Sequence, residues 1–404
     1  MSNFNQSKIN ISELKNVLKH IIETNKTLQE KGLVPLAVNV VGPAGLGKTS
    51  TLKQVGVECG FEKSNIVMLS LSSFEEVGDL IGIPISEYKM IKKEASGVKS
   101  IWVNEVALTS YEKAGWVTTS ESRMSYSAPE WIQGKKGPGL LILDDYTRAS
   151  QRFTQAIMEL ILNQEYVSWK LPENWTIVLS SNPDDGIYNV TDQDPAQRSR
   201  YLNVSLGWDS EIWAKWAEHN SVDSRCINFV LMNNEIIREE TPEVNARSIT
   251  LFFNAISSIK DFNGNLELIQ LLGEGSLGTE VTATFVAFIN NSFDTLISAS
   301  EILDVTKPFE DVEKAIKDVI KSDIEYRADI AYVITTRLIN YIDLKTKNDF
   351  YNQAVLDRIA YLITSNVLGG DLKFVLGRKL TNLNHLPALN NLFAIEGVID
   401  NILD

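Results

Sequence analysis

Apolar side chains Leu14, Val17, Leu18, Ile21 and Ile22 recur at helical spacing. They predict an amphipathic helix over 12–28, with Ser12 as its N-cap. A short link, 29–32, follows. The run 34–41 is then apolar except at Pro35 and Asn39, which suits a strand buried in a parallel sheet. The pattern predicts further strands at 66–71, 140–143 and 176–179, and helices over 50–59 and 153–162. Strands alternating with helices imply an α/β fold, a parallel sheet with helices on both faces. Past about Leu206 the strand pattern fades and helical periodicity dominates to the end. Within that part, 264–278 reads as loop-rich, and a helical block runs from about Phe309, with a turn at Gly369-Gly370. Neither a repeat nor a low-complexity segment is present.

Length and composition add limits. At 404 residues the chain suggests two or three units with their own cores. The hydrophobic share is 44% and the charged share 22%, ordinary values for a globular protein. No run reaches the ~18 apolar residues of a membrane span, and the first ten residues do not resemble a signal peptide. A cytoplasmic protein away from the membrane is expected. The net charge is −14, from 38 basic and 52 acidic residues. That opposes non-specific nucleic-acid binding without excluding a local contact. Cys59 and Cys226 lie far apart and are expected as small buried hydrophobes. The three histidines, His20, His219 and His385, are scattered, so neither a zinc site nor a Ser-His-Asp arrangement is indicated.

The strongest chemical signal is Gly42-Pro43-Ala44-Gly45-Leu46-Gly47-Lys48-Thr49, followed by Ser50. It fits GxxxxGK[ST], after an expected strand and before an expected helix. Glycines there let successive N–H groups point at one anion. Lys48 should reach the β- and γ-phosphates of ATP, and the Thr49 hydroxyl should ligate Mg²⁺. The positive end of the following helix adds to the site. A second signal is Gly139-Leu-Leu-Ile-Leu-Asp144-Asp145. Carboxylates at the C-terminal end of a parallel strand lie where such sheets bind ligands. Asp144 is the expected Mg²⁺ partner through water, and Asp145 is placed to polarise an attacking water.

With VGPAGLGKTS and LLILDDYTRAS go VGDLIGIP at 77–84, LPENWTIVLSSNP at 171–183 and DPAQRSRY at 194–201. Over roughly 33–290 the chain resembles the AAA+ ATPases and, within them, the MoxR-like group. The resemblance implies a P-loop AAA+ core at 33–205 after an N-terminal helix at 1–32. A helical lid at 206–300 and a helical domain at 301–404 would follow. It implies that Asn182 orients the attacking water as the sensor-1 residue. It also implies that Arg200 is an arginine finger entering a neighbour's site, with Arg198 as rival, and that Arg247 is the sensor-2 residue of the lid. An insertion within 75–116 and a hairpin within 166–175 would face a pore or partner. Their aromatic residues Trp102, Trp116 and Trp169 also suit simple packing.

The implied activity is ATP hydrolysis to ADP and phosphate in a homo-oligomeric ring, a hexamer, remodelling a protein. A partner bearing a von Willebrand factor A domain goes with that resemblance. The family pair is Asp-Glu where this chain has Asp144-Asp145. A carboxylate one methylene short can misplace water, and ~1 Å of misplacement can cost on the order of 10²-fold in rate. Two other readings therefore stand: a DNA-directed motor, clamp-loader-like or helicase-like, and an ATP-gated assembly switch with slow turnover. Gly273-Glu-Gly275-Ser-Leu-Gly278 matches GxGxxG but follows no strand, and its Ser276 is expected to open a lid helix over 276–288. Trp208, Trp213 and Trp216 are expected on one apolar face of the first lid helix. Lys89, Lys92, Lys93 and Lys99 read as a solvated face or a polynucleotide contact.

Overall fold

The computed structural model describes residues 7–94, 97–191, 193, 195–238, 241–291, 296–321, 326–347 and 350–403. The first six residues and Asp194 of the string 194–201 lie outside the described residues. The chain divides into two compact units, 1–207 and 208–404.

The first unit opens with α1 (Ile11–Glu30). Its N-cap is Asn10, not Ser12. The Asn10 side chain accepts the Glu13 N–H, and Glu13 accepts the Asn10 N–H in return. That reciprocal capping box satisfies two otherwise orphaned donors. Strand β1 covers only Val38–Val41 of the expected run. Pro35 has no N–H to give a ladder, and the backbone of Leu36 is taken by the Asn25 side chain in both directions, at 2.7 and 3.0 Å. Leu33 and Val34 remain exposed.

Helix α2 (Lys48–Glu58) starts two residues earlier than expected, directly after Gly47. Next come β2 (Ile66–Ser70) and the short α3 (Val77–Ile81). An insertion follows, made of β3 (Pro84–Glu94), β4 (Gly97–Asn104), α4 (Leu108–Lys113) and β5 (Val117–Tyr126). Then come β6 (Gly139–Asp144), α5 (Gln151–Asn163), β7 (Glu165–Tyr166) and β8 (Trp169–Lys170). The unit closes with β9 (Trp175–Ser181), α6 (Pro195–Arg198) and β10 (Leu202–Ser205).

Five strands form one parallel sheet in the order β10-β1-β9-β6-β2. Side chains alternate between its faces. Leu141, Leu143, Ile177 and Leu179 join Phe153 and Ile157 of α5 in one buried cluster. Helix α2 packs against β2, β6 and β9. This is the expected α/β fold class, a parallel sheet carrying the phosphate loop.

The insertion is a separate antiparallel sheet, β4-β3-β5, with α4 packed on β5. It reaches to Tyr126, beyond the expected 75–116. The hairpin β7-β8 pairs Tyr166 with Trp169. Trp169 donates its indole N–H to Ile81 O at 2.8 Å and meets Trp131 edge-on. Trp102 lies under the Arg123 guanidinium, and Trp116 meets Tyr111 edge-on. All three tryptophans therefore pack within the unit.

The second unit is helical among its described residues. It comprises α7 (Ser210–His219), α8 (Ser224–Met232), α9 (Ala246–Ile256), α10 (Leu266–Asn290), α11 (Ala299–Ile302) and α12 (Phe309–Ile320). After these come α13 (Ala328–Leu344), α14 (Gln353–Thr364), α15 (Gly370–Thr381) and α16 (Val398–Leu403). One apolar cluster gathers α7 to α10, and another gathers α11 to α16. Buried Arg337 of α13 is paired with Glu218 and Asn228 at 2.7 and 2.9 Å.

Three expectations fail here. The stretch 264–278 is helical from Leu266, because Ile269 and Leu277 are buried and Gly273 lets Thr282 pack close. The helix breaks only at Gly278, whose φ is 76°. Of the tryptophans, Trp208 is not on the helix but precedes α7, although its ring meets Trp213 at 6.3 Å as Trp216 does. Of the cysteines, Cys226 is buried but Cys59 only partly so. Among the described residues no helix is long and apolar enough to cross a membrane.

Candidate functional site

The strand order decides where the site forms. Strand β9 lies between β1 and β6, so the C-terminal ends of these three strands are neighbours. Each end carries one sequence signal: the phosphate loop after β1, Asp144 at the end of β6, and Asn182 just past β9. Strands from distant parts of the chain thus deliver their polar residues to one crevice, the usual ligand position in such sheets.

The loop is tied down at its start. The Gly42 N–H donates to Ser181 O at 3.1 Å. A side chain at Gly42 would sit 3.0 Å from Leu206 O, which explains glycine there. Gly45 and Gly47 have φ of 77° and 82°, a left-handed conformation that side chains disfavour. Through them the chain turns sharply into α2. The amides of that helix's first turn have no intrahelical acceptor and carry its positive end.

Four expected site residues come together. Lys48 is only 8% exposed. Its ammonium donates to Gly42 O at 2.7 Å, Pro43 O at 2.9 Å and Asn182 Oδ1 at 3.3 Å. The Thr49 hydroxyl donates to Asp144 Oδ1 at 3.0 Å. The remaining loop residues, Pro43, Ala44, Leu46 and Ser50, complete the turn into α2. Asp145 follows Asp144 and is half-buried, with φ 53° and ψ 37°. Aspartate tolerates this left-handed region better than most residues.

The other expected residues belong to other elements. Arg200 is half-buried just past α6, and its amide N–H donates to Gln197 O. Arg198, at the end of α6, forms an ion pair with Asp184 at 3.6 Å. Arg247 is exposed in the first turn of α9, in the second unit, where its N–H donates to the N-cap Asn245.

Several supporting residues were not anticipated. Ser181 donates to Asn39 Oδ1 at 2.8 Å, and Asn39 donates to Asn203 at 3.0 Å. This polar chain links β9, β1 and β10 beside the loop. Its signal was present: an asparagine inside an apolar strand must find partners once buried. Thr147 accepts the Asn182 N–H at 3.4 Å. Tyr188 accepts the Ala44 N–H at 3.2 Å. Nothing in residue type or spacing distinguishes these last two from ordinary loop residues.

Among the described residues no three His, Cys, Asp or Glu side chains cluster to hold a metal ion. One hydroxyl and one carboxylate are what a Mg²⁺ ion with its own waters and phosphate oxygens requires. The Thr49–Asp144 pair fits that ion.

Sheet order and loop together define a P-loop α/β fold. No family model matches the chain, and no curated protein does. Solved structures give distant likenesses. A mutant RuvB of Thermotoga maritima is 15% identical, covering 73% of this chain and 75% of that one, at a TM-score of 0.37. The Thermotoga maritima RuvB Holliday junction branch migration motor is also 15% identical, covering 73% and 74%, at 0.36. A DNA polymerase III gamma subunit-related protein of the same organism is 14% identical, covering 96% and 98%, at 0.26. Likenesses this distant carry no argument, and the fold rests on the strand order and the loop.

Proposed function

We propose that the chain is an ATPase that binds Mg²⁺-ATP at the loop Gly42-Thr49 and hydrolyses it. The observation that carries this reading is the meeting of Lys48, Thr49, Asp144 and Asn182 at the ends of three adjacent strands. Lys48 would exchange its carbonyl acceptors for phosphate oxygens. Thr49 and Asp144 would hold Mg²⁺, which neutralises charge on the phosphates. Asp145 would take the role of water-polarising base, and Asn182 would orient the water. Arg200, or Arg198 in its place, would act in a neighbouring subunit's site, and Arg247 would close on the nucleotide as the lid residue. Those roles follow the AAA+ resemblance and imply a ring.

The MoxR-like resemblance suggests a protein as the object remodelled, with a von Willebrand factor A domain protein as candidate partner. The charge balance supports that side. On the insertion Lys89 pairs with Glu121, Lys99 with Glu94 and Arg123 with Glu87. Half of the six basic residues there are paired in this way, and five glutamates leave the insertion with little net charge, which weakens the DNA-directed reading. ATPase assays with and without single- and double-stranded DNA, across salt, decide between them. Stimulation by DNA that falls steeply with salt would overturn the protein reading.

A second reading, a slow assembly switch, is favoured by Asp145. Its side chain is short and its backbone left-handed where the family has glutamate. Asp145→Glu measured beside the wild type tests it. Slow turnover with nucleotide-dependent assembly on size exclusion supports a switch; rapid turnover by both proteins rejects it.

A further inference from the structure

Tyr188 is not part of the phosphate-loop motif, yet its hydroxyl holds the Ala44 amide. Around it Asp184, Asp185, Gly186, Ile187 and Asn189 are exposed, while Tyr188 is half-buried. The arch 183–191 is fixed at both feet by one residue. At the first foot Asn182 N–H donates to Thr147 Oγ1. At the second, Thr191 N–H donates to Thr147 O at 2.7 Å, and its hydroxyl donates to Ala149 O at 3.0 Å. Thr147 itself stands two residues after Asp145. The arch also holds Asp184, the partner of Arg198. Between the feet, Tyr188 joins the arch to the loop.

We propose that Tyr188 is a positioning residue, whose hydroxyl ties the phosphate loop to the arch so that nucleotide at the loop sets the arch and, through Asp184, Arg198. The inference rests on the nucleotide-binding reading above. It uses the Ala44 amide, which precedes Gly45, and leaves the amides of the first turn of α2 to the anion. Tyr188 touches no reacting atom. Its loss should therefore lower kcat while leaving KM nearly unchanged.

The test is hydrogen–deuterium exchange of the full chain with and without Mg²⁺ and a non-hydrolysable ATP analogue. In the wild type, exchange should slow at both 42–50 and 184–191. In Tyr188→Phe, slowing at 42–50 should persist while that at 184–191 falls by about fivefold, the scale of one hydrogen bond. Ala44→Pro, which removes the donor and keeps the tyrosine, should do the same. Ala44 is not among the positive-φ residues, whose backbone proline could not adopt. In steady state, Tyr188→Phe should lower kcat by about fivefold with KM changed by under about twofold. If the arch is protected equally in Tyr188→Phe, or never protected while the loop is, the coupling is wrong and nucleotide binding stands. If the loop itself gains no protection, nucleotide binding and the coupling both fall.

Discussion

Beside the β7-β8 hairpin, the first unit holds two larger sheets built on opposite terms. In the parallel sheet every residue of β9 and five of six in β6 are buried. In the antiparallel insertion only Met90, Val103 and Ser125 of three longer strands are buried. One sheet is held by apolar packing on both faces. The other is held mainly by its ladder and by cross-strand pairs such as Lys89–Glu121 and Arg123–Glu87. The difference bears on chemistry. A strand buried on both faces cannot shift without emptying the core, so polar groups at its end keep their places. Lys48, Thr49, Asp144 and Asn182 all depend on strands of the first kind.

The largest effect should come from the side chain at the crevice itself. Lys48→Ala removes the ammonium that three oxygens hold. Nucleotide-dependent hydrolysis should fall by about 100-fold or more, on the scale of losing one preorganised charge-stabilising donor. The fold should remain, because Lys48 contributes no apolar core contact. Circular dichroism melting beside a phosphate-release assay checks both halves. Chelating Mg²⁺ with EDTA should stop wild-type hydrolysis while leaving the melting curve in place.

The two sheets should separate most clearly in stability. Ile177→Ala in β9 leaves a cavity in a fully buried layer and should cost about 2–5 kcal/mol. Val106→Ala, beside β4, alters a side chain 92% exposed and should stay within about 0.5 kcal/mol. Urea unfolding of each variant measures this. Equal losses at the two positions would show that the insertion is packed against something in solution.

The same contrast explains what could be read from the chain. Parallel strands announce themselves, because burial on both faces demands an unbroken apolar run. The loop is legible because its glycines and Lys48 serve a fixed local geometry. Strand order is different. That β9 lies between β1 and β6 follows from packing across more than a hundred residues, and no local spacing encodes it. The antiparallel sheet was missed as a sheet for a related reason. Its strands alternate weakly and mix lysine, glutamate and serine, so neither period stands out. In 264–278, glycines suggested a loop, yet burial of Ile269 and Leu277 overrode their low helix propensity.

A smaller effect concerns Asp145, at the boundary between core strand and turn. Its left-handed backbone strains any residue with a Cβ, aspartate less than most, and is free for glycine. Asp145→Gly should leave stability unchanged or raise it by up to about 1 kcal/mol. Asp145→Glu should lower it by about 1 kcal/mol. Both should lie well below the loss at Ile177, since the strand before Asp145 keeps its packing in either variant. A loss at glycine larger than at glutamate would mean that the carboxylate, and not the backbone, holds the turn.

The smallest effect should lie in the insertion's ion pairs. Lys89 and Glu121 meet at 2.9 Å with side chains 29% and 57% exposed. Water screens such a pair, and holding two long side chains together costs entropy. A double-mutant cycle between Lys89→Ala and Glu121→Ala should give about 0.2–1 kcal/mol. Repeated in 1 M salt, where the Debye length is about 3 Å, it should shrink toward zero. The Ile177→Ala loss should not shrink in the same salt, because it is set by apolar packing. A coupling at Lys89–Glu121 that survived salt would mean the pair is shielded from water, and the insertion would then share the character of the sheet it departs from.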